Sequence, residues 1–511
     1  MRYLNGSAIV LLGLALSMSA SASDWSLIPA AQDMHADVGG FAMDGPVRVL
    51  GDAGAAQLAH ALATSLGVSG GRGDRAIELA LVPAKPGRSE EAYRLVVTPR
   101  KISIEASGAA GLYYGVQTLL QMIPDQCAKD CTIPAVTIED WPRFRWRGLL
   151  IDVARHFYEV AALERVIDSM AQYKLNVLHL HLTDDTGWRI EIPAYPQLVE
   201  VGARGDIDAP GQGPPRYYRA EDIRELVAYA AQRHVTIVPE IELPGHGGAA
   251  ARSYPEFYNG SGTINPGKPE SLEFVRAIFT EVARQFPARY LHFGGDEVDG
   301  AGWNAMPEVA SLKLRLGLST IRQVEAHFDA QVAAIITSLG RAPMAWDETV
   351  SAGAAASITV QWWRKARPDV RDDAVHRGQD IVLSPVDQVY FDYPQGLGEP
   401  GAPWEGNDNG PTSLWKVLQW QPIPPGYTDQ DLQHVLGIEA AVWTEFIRSE
   451  KYLQYMLYPR LQAFAELAWS AQAGRDTADF ERRLKPHLDR MVARGVRVRR
   501  GPGDAVEFQT H

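Results

Sequence analysis

Gly148-Leu149-Leu150-Ile151-Asp152-Val153 is followed by a helical stretch, Ala161–Lys174, and then by Val177-Leu178-His179-Leu180-His181-Leu182. Short, nearly continuous apolar runs separated by an amphipathic stretch are the pattern of parallel strands buried on both faces. The pattern continues outward. Similar runs lie at Val235–Glu240, Tyr290–Phe293, Ala342–Trp346, Ile358–Trp362, Asp380–Leu383 and Leu436–Val442, with helical stretches at Ala220–Arg233, Ser271–Phe286 and Gln323–Leu339. Eight such strands predict a (β/α)8 TIM barrel. An open doubly wound sheet is the alternative, but no Gly-rich phosphate loop follows a first strand. There is no fixed-period repeat to suggest a solenoid or propeller.

Upstream of Asp140-Trp141-Pro142 the pattern is mixed. Val47–Leu50, Ala76–Val82, Tyr93–Val97 and Ile102–Glu105 read as strands, and Ala55–Leu66 and Gly111–Met122 as helices, so a small α+β domain precedes the barrel. Arg2, the apolar run Ala8–Leu16 and Ala20-Ser21-Ala22 have the layout of a cleaved signal peptide. The expected organisation is therefore a signal over 1–22, an accessory α+β domain over 23–140, a catalytic domain over 141–475 and a helical extension over 476–511. The protein is expected to be exported, periplasmic or secreted, with no membrane anchor. Cys127 and Cys131, four apart in a polar loop, are expected to close a small disulfide after export.

The 511 residues are 46% hydrophobic and 22% charged, a globular composition. The 49 Lys and Arg against 62 Asp and Glu give a net charge of −13, which argues against nucleic acid as a partner. Two Cys are too few for a closed zinc site, and no metal or cofactor is expected.

Barrel chemistry sits where strands end. Those ends carry Asp152 and Arg155-His156; Asp184-Asp185 and Trp188; Glu240, Glu242 and His246; Asp296-Glu297; Trp346-Asp347-Glu348; Trp362-Trp363; Tyr390 and Asp392; and Trp443 and Glu445. A lone Trp is usually core, and a lone acidic pair is usually solvated. Their recurrence at strand after strand instead suits a sugar, with indoles against ring faces and charged groups on hydroxyls. Asp296 and Glu297 are adjacent, so they cannot easily straddle a glycosidic bond as the two carboxyls of ordinary retaining enzymes do. One acid beside one orienting carboxylate makes sense if a 2-acetamido sugar supplies its own nucleophile.

The motifs resemble those of family 20 glycoside hydrolases, the β-N-acetylhexosaminidases. They are Trp146-Arg147-Gly-Leu-Leu-Ile-Asp152-Val-Ala-Arg155-His156-Phe157, His179-Leu-His-Leu-Thr-Asp184-Asp185-Thr-Gly-Trp188-Arg189, Val238-Pro-Glu240-Ile-Glu-Leu-Pro-Gly-His246, Ile264-Asn265-Pro266-Gly267, His292-Phe-Gly-Gly-Asp296-Glu297-Val298 and Trp443-Thr-Glu445. The resemblance implies an exo-acting, retaining enzyme on terminal N-acetylhexosamines of chitin oligosaccharides or glycoconjugates. It implies Glu297 as general acid and base, Asp296 on the acetamide nitrogen, and Tyr390 on the acetamide oxygen. Arg147, Asp392 and Glu445 would grip hydroxyls, and Trp346, Trp363 and Trp443 would wall the pocket. His246, backed by Asp184 with Asp185 as the alternative, would tune Glu297. The pKa of Glu297 is expected to be raised by Asp296 and partial burial. His179 and His181 read as barrel-interior packing, and Asn259-Gly-Ser261 is a glycosylation sequon. Two other readings are a metal-dependent amidohydrolase, which would need its His pair at the barrel mouth, and a non-catalytic amino-sugar-binding barrel.

Overall fold

The computed structural model describes residues 25–501 other than 45, 69–72, 125–126, 128–130, 354–355, 404–409 and 474. The expected signal segment lies outside the described residues. Two compact units follow from the chain's contacts. One is built from Gln32–Pro86 and Ala92–Asp140, the other from Ser26–Ala31, Gly87–Glu91 and the chain from Trp141 onward.

The first unit is a six-stranded sheet with order β1-β6-β4-β5-β3-β2. Its strands are β1 (Asp33–Ala42), β2 (Val47–Gly51), β3 (Arg75–Leu81), β4 (Tyr93–Val97), β5 (Lys101–Ala106) and β6 (Thr132–Asp140). Alternation buries one face of β5, with Ile102 and Ile104 fully enclosed. The helix Ala109–Met122 presents Leu112, Val116 and Leu119 to the core. Two strands escaped the sequence reading. β1 is mostly exposed and carries Gly39-Gly40 at a register shift, so it shows no apolar alternation. β6 contains Pro134, which normally argues against a strand. Cys127 and Cys131 are disulfide-bonded, with Cα atoms 5.1 Å apart.

The second unit is a closed parallel barrel. Its strands are β7 (Trp146–Asp152), β8 (Val177–His181), β9 (Thr236–Leu243), β10 (Tyr290–Gly294), β11 (Ala342–Trp346), β12 (Thr359–Trp362), β13 (Ile381–Leu383) and β14 (Val435–Val442). Every expected barrel strand is present, with ends shifted by no more than a few residues. β7, β8 and β14 are buried at every position, as strands covered by barrel interior on one side and helices on the other must be. Register then sets the polar layer: Asp152 pairs with His181, His181 with Glu240, and Glu240 with His292. Among the described residues, no helix is long and apolar enough to cross a membrane.

Candidate active site

The barrel interior below the mouth is a closed polar lattice. Glu240 accepts from Trp346 Nε1 at 2.8 Å and faces His181 Nδ1 at 2.6 Å and His292 Nδ1 at 2.9 Å. His179 Nδ1 lies 2.8 Å from Glu439 Oε1, which also accepts from Gln361 Nε2 at 2.8 Å. Burial works against protonating His179, but Glu439 and Glu240 prevail and push it up to about 9. His181 is likewise pushed up to about 10 by Glu240 and Asp184, against burial. Both histidines are interior, as expected, and each lies between two carboxylates: His179 between Glu439 and Glu240, His181 between Glu240 and Asp184. They do not stand at the mouth, where an amidohydrolase would need them.

Above this lattice lies a cavity of about 330 Å³, lined among others by Arg155, His246, Asp296, Glu297, Trp346 and Trp363. Tyr390, Asp392, Trp443 and Glu445 also line it. The ring planes of Trp363 and Tyr390 lie within 20° of each other at 6.4 Å, and Trp346 and Trp443 are 5.9 Å apart. The Trp363 indole donates to Glu348, at 3.1 Å to one oxygen. Trp362 turns away and donates to the Arg367 carbonyl.

Asp296 and Glu297 follow β10 directly. Gly294 and Gly295, just before the two acids, have φ of +74° and +99°, a left-handed turn that glycine allows. Asp296 keeps 15% of its side chain exposed, whereas Glu297 keeps 58%. His246 Nε2 stands 3.3 Å from Glu297 and 3.9 Å from Asp296. On its other side, His246 Nδ1 is 3.5 Å from Asp185 and 3.7 Å from Asp184. Burial opposes its charge, but hydrogen bonds to Asp185 and Glu297 and the charges of Asp296 and Asp184 push it up to about 11. Both aspartates therefore back His246, with Asp185 slightly nearer. Asp184 is also held by Arg155 at 2.7 Å and His181 at 3.1 Å.

Two expectations need correction. Arg147 does not reach the cavity. It is the second residue of β7, at the foot of the barrel, fully buried, with its guanidinium on Glu91 at 2.7 and 2.9 Å and on the carbonyls of Lys174 and Phe144. The arginine at the mouth is Arg155, just beyond the C-terminal end of β7. It lies 3.8 Å from Glu445 and 5.2 Å from the Trp443 ring. The signal that finds it is position: it follows the strand, whereas Arg147 starts it. The pKa of Glu297 is also displaced the other way. The hydrogen bond with His246 lowers it, partial burial opposes, and the charges of His246 and Arg155 lower it further. Asp296 is the raised member, through burial and the charges of Glu240 and Glu297, despite His246 and a hydrogen bond from Glu242. Asp392 is raised strongly by burial and Glu445; Glu445 is raised by burial and Asp152 against the pull of Arg155.

The sequon is committed to structure. Asn259 Oδ1 accepts from Ser261 N, Ser261 Oγ and Thr263 N, and its Nδ2 is shut off from solvent.

Such a pocket, with one solvent-facing acid and one enclosed carboxylate under an aromatic wall, matches a known family. The profile of Glycosyl hydrolase family 20, catalytic domain, fits residues 144–472, and that of Glycosyl hydrolase family 20, domain 2, fits residues 24–141. The chain belongs to glycosyl hydrolase family 20. Its similarity to a β-N-acetylhexosaminidase of Cellulomonas fimi is 35% identity over 78% of this chain and 78% of that one. A β-hexosaminidase of Porphyromonas gingivalis is 34% identical over 80% of this chain, which spans 54% of that relative's length. An N,N'-diacetylchitobiase of Vibrio harveyi is 28% identical, covering 78% of this chain and 57% of its own. Among solved family 20 structures, an exo-β-N-acetylglucosaminidase of Vibrio harveyi bound to N-acetylglucosamine superposes with a TM-score of 0.85 at 31% identity, covering 94% of this chain and 79% of that one. A β-N-acetylhexosaminidase of Streptomyces coelicolor gives 0.81 at 30% identity, over 95% and 99%.

Proposed function

We propose that this chain is an exo-acting β-N-acetylhexosaminidase that removes terminal N-acetylhexosamines with retention, using the substrate's own acetamide as nucleophile. The observation that carries the reading is the division of labour between neighbours: Asp296 enclosed, Glu297 open to solvent and paired with His246. Glu297 gives its proton to the glycosidic oxygen as the C1–O bond breaks and the electron pair leaves with the aglycone. The acetamide carbonyl oxygen closes on C1. Asp296 accepts the acetamide N–H and offsets the positive charge of the resulting oxazolinium. Tyr390, whose hydroxyl burial keeps protonated, donates to the acetamide oxygen. Glu297, now ionised, takes a proton from water, which attacks C1 and reopens the ring. Two inversions leave the anomeric configuration unchanged.

His246 Nε2 and Glu297, 3.3 Å apart, share a hydrogen bond that raises the imidazole and lowers the carboxyl. Transfer of the proton from His246 makes Glu297 the acid when the leaving oxygen arrives. Arg155, Asp392 and Glu445 grip ring hydroxyls of the terminal sugar, which supports removal of single units. The diacetylchitobiase relative supports chitin oligosaccharides as substrates, beside glycoconjugates. The N-terminal segment supports export to the periplasm or medium. No cofactor takes part.

The test is a pair of aryl glycosides. The 2-acetamido-2-deoxy-β-glucoside should turn over and the plain β-glucoside should be essentially inert. A thiazoline mimic should bind far more tightly than the product sugar, because the site is complementary to the transition state. Rapid hydrolysis of the glucoside, or a stable carboxylate adduct with a 2-deoxy-2-fluoro sugar, would refute the reading.

A further inference from the structure

Glu242, the seventh residue of β9, has no part in the reaction as derived so far. It is 2% exposed, and neither carboxyl oxygen has a hydrogen-bond donor among the described residues. It leans across β10 at Gly294, where a Cβ would collide with the carboxyl, so the glycine is what leaves room for it. Beyond that gap the Glu242 carboxyl meets the Asp296 side chain, whose Oδ1 is also buried and without a donor. The other ionisable groups facing the pair are His181 and Glu240, each with a polar atom within 4.8 Å of the Glu242 carboxyl, and Asp184, His246, Glu297, Glu348 and Tyr390.

Two carboxyls in contact away from water cannot both be ionised, so one proton lies between them. Glu242 is the more enclosed of the two, and the His181 beside it is already closed on Glu240 and Asp184 at 2.6 and 3.1 Å, while Asp296 has the His246 imidazolium nearby. The proton therefore belongs on Glu242, and a protonated carboxyl is a hydrogen-bond donor. Burial, followed by the charges of Asp296 and Glu240, raises Glu242 far above the usual carboxylate range, while the bond from Glu242 lowers Asp296.

We propose that Glu242 is a positioning residue: it carries the shared proton, donates it to Asp296, and so keeps Asp296 anionic and aimed at the acetamide N–H. The proposal rests on the role given to Asp296 above.

Three variants test it, with kcat followed across pH on an aryl 2-acetamido-2-deoxy-β-glucoside. Glu242→Gln keeps a neutral donor and should hold kcat within about fivefold, with the acid limb in place. Glu242→Met keeps the length but removes the donor. Asp296 then sits enclosed and unsupported, so the acid limb should move up by about one pH unit or more, and kcat below pH 6 should fall roughly 10–100-fold. Asp296→Asn is run in parallel. If it retains full turnover, the acetamide reading fails. If it is impaired while Glu242→Met matches the parent in rate and acid limb, only the present proposal fails. A loss of more than about 50-fold in Glu242→Gln also overturns it, because charge and not donation would then matter. Circular dichroism melts accompany each variant, and Glu242→Leu replaces Glu242→Met if that protein does not fold.

Discussion

Arg147 and Arg155 stand at opposite ends of β7. At the foot, the Arg147 guanidinium is fully buried and its bonds are closed on Glu91 and on backbone carbonyls. At the mouth, Arg155 is shared among Asp184, Asp152 and Glu445, at 2.7, 3.3 and 3.8 Å, and keeps 12% of its side chain open to the cavity. The same residue type thus finishes the fold at one end and is left partly unfinished at the other. The unfinished end is where a sugar's hydroxyls complete the bonding. Conserving hydrogen-bonding potential for a ligand requires that the protein not satisfy it internally.

The largest effect should come from the foot. Arg147→Ala removes the ion pair to Glu91 and the donors to the Lys174 and Phe144 carbonyls, and should lower stability by about 3–5 kcal/mol. That corresponds to a melting shift of roughly 10 °C, read by calorimetry. KM and kcat of the protein that remains folded should be unchanged. A raised KM would break the contrast. At the mouth, Arg155→Lys keeps the charge but loses the fork that serves several carboxylates and hydroxyls. It should lower kcat/KM roughly 10–100-fold, with a melting temperature close to the parent's.

Asp392→Asn should show the cost of an open mouth. Burial and Glu445 raise the folded-state pKa of Asp392. A carboxyl raised in this way takes up protons on folding, so its ionisation destabilises the fold increasingly as pH rises above the unfolded value near 4. The asparagine variant should therefore melt about 2–4 °C above the parent at pH 8, with no gain at pH 4, while losing activity. The smallest effect should come from Asp185→Asn. Its carboxylate is half exposed and shares His246 with Asp184, so kcat should change only about two- to fivefold. The pH at which His246 loses its proton, followed by NMR, should fall. An effect as large as that of Arg155→Lys would show that Asp185 alone holds the imidazole.

What could be read from the sequence follows from how locally each feature is encoded. The eight barrel strands are continuous apolar runs, and their ends named most of the pocket, from Asp296 to Glu445. β1 was missed because Gly39-Gly40 and exposed polar residues erase its alternation, and it is held by pairing with β6. Arg147 was misplaced because a motif match gives order along the chain but not which end of a strand a residue occupies. The direction of the Glu297 shift was misjudged because it depends on His246, which arrives from β9 with Nε2 at 3.3 Å; no pattern around residue 297 contains that distance. Likewise the ion pairs of His179 and His181 depend on Glu240 and Glu439 from other strands.

Glu297 and His246 share a further property: their φ angles are +49° and +45°, in the left-handed region where side chains with a Cβ are disfavoured. Asparagine and glycine tolerate that conformation better. Glu297→Asn should therefore be inactive yet more heat-resistant than the parent, and so suited to holding an uncut oligosaccharide for crystallisation. Selection for durability alone, with no demand for turnover, would carry this chain away from glutamate at the position its chemistry needs most.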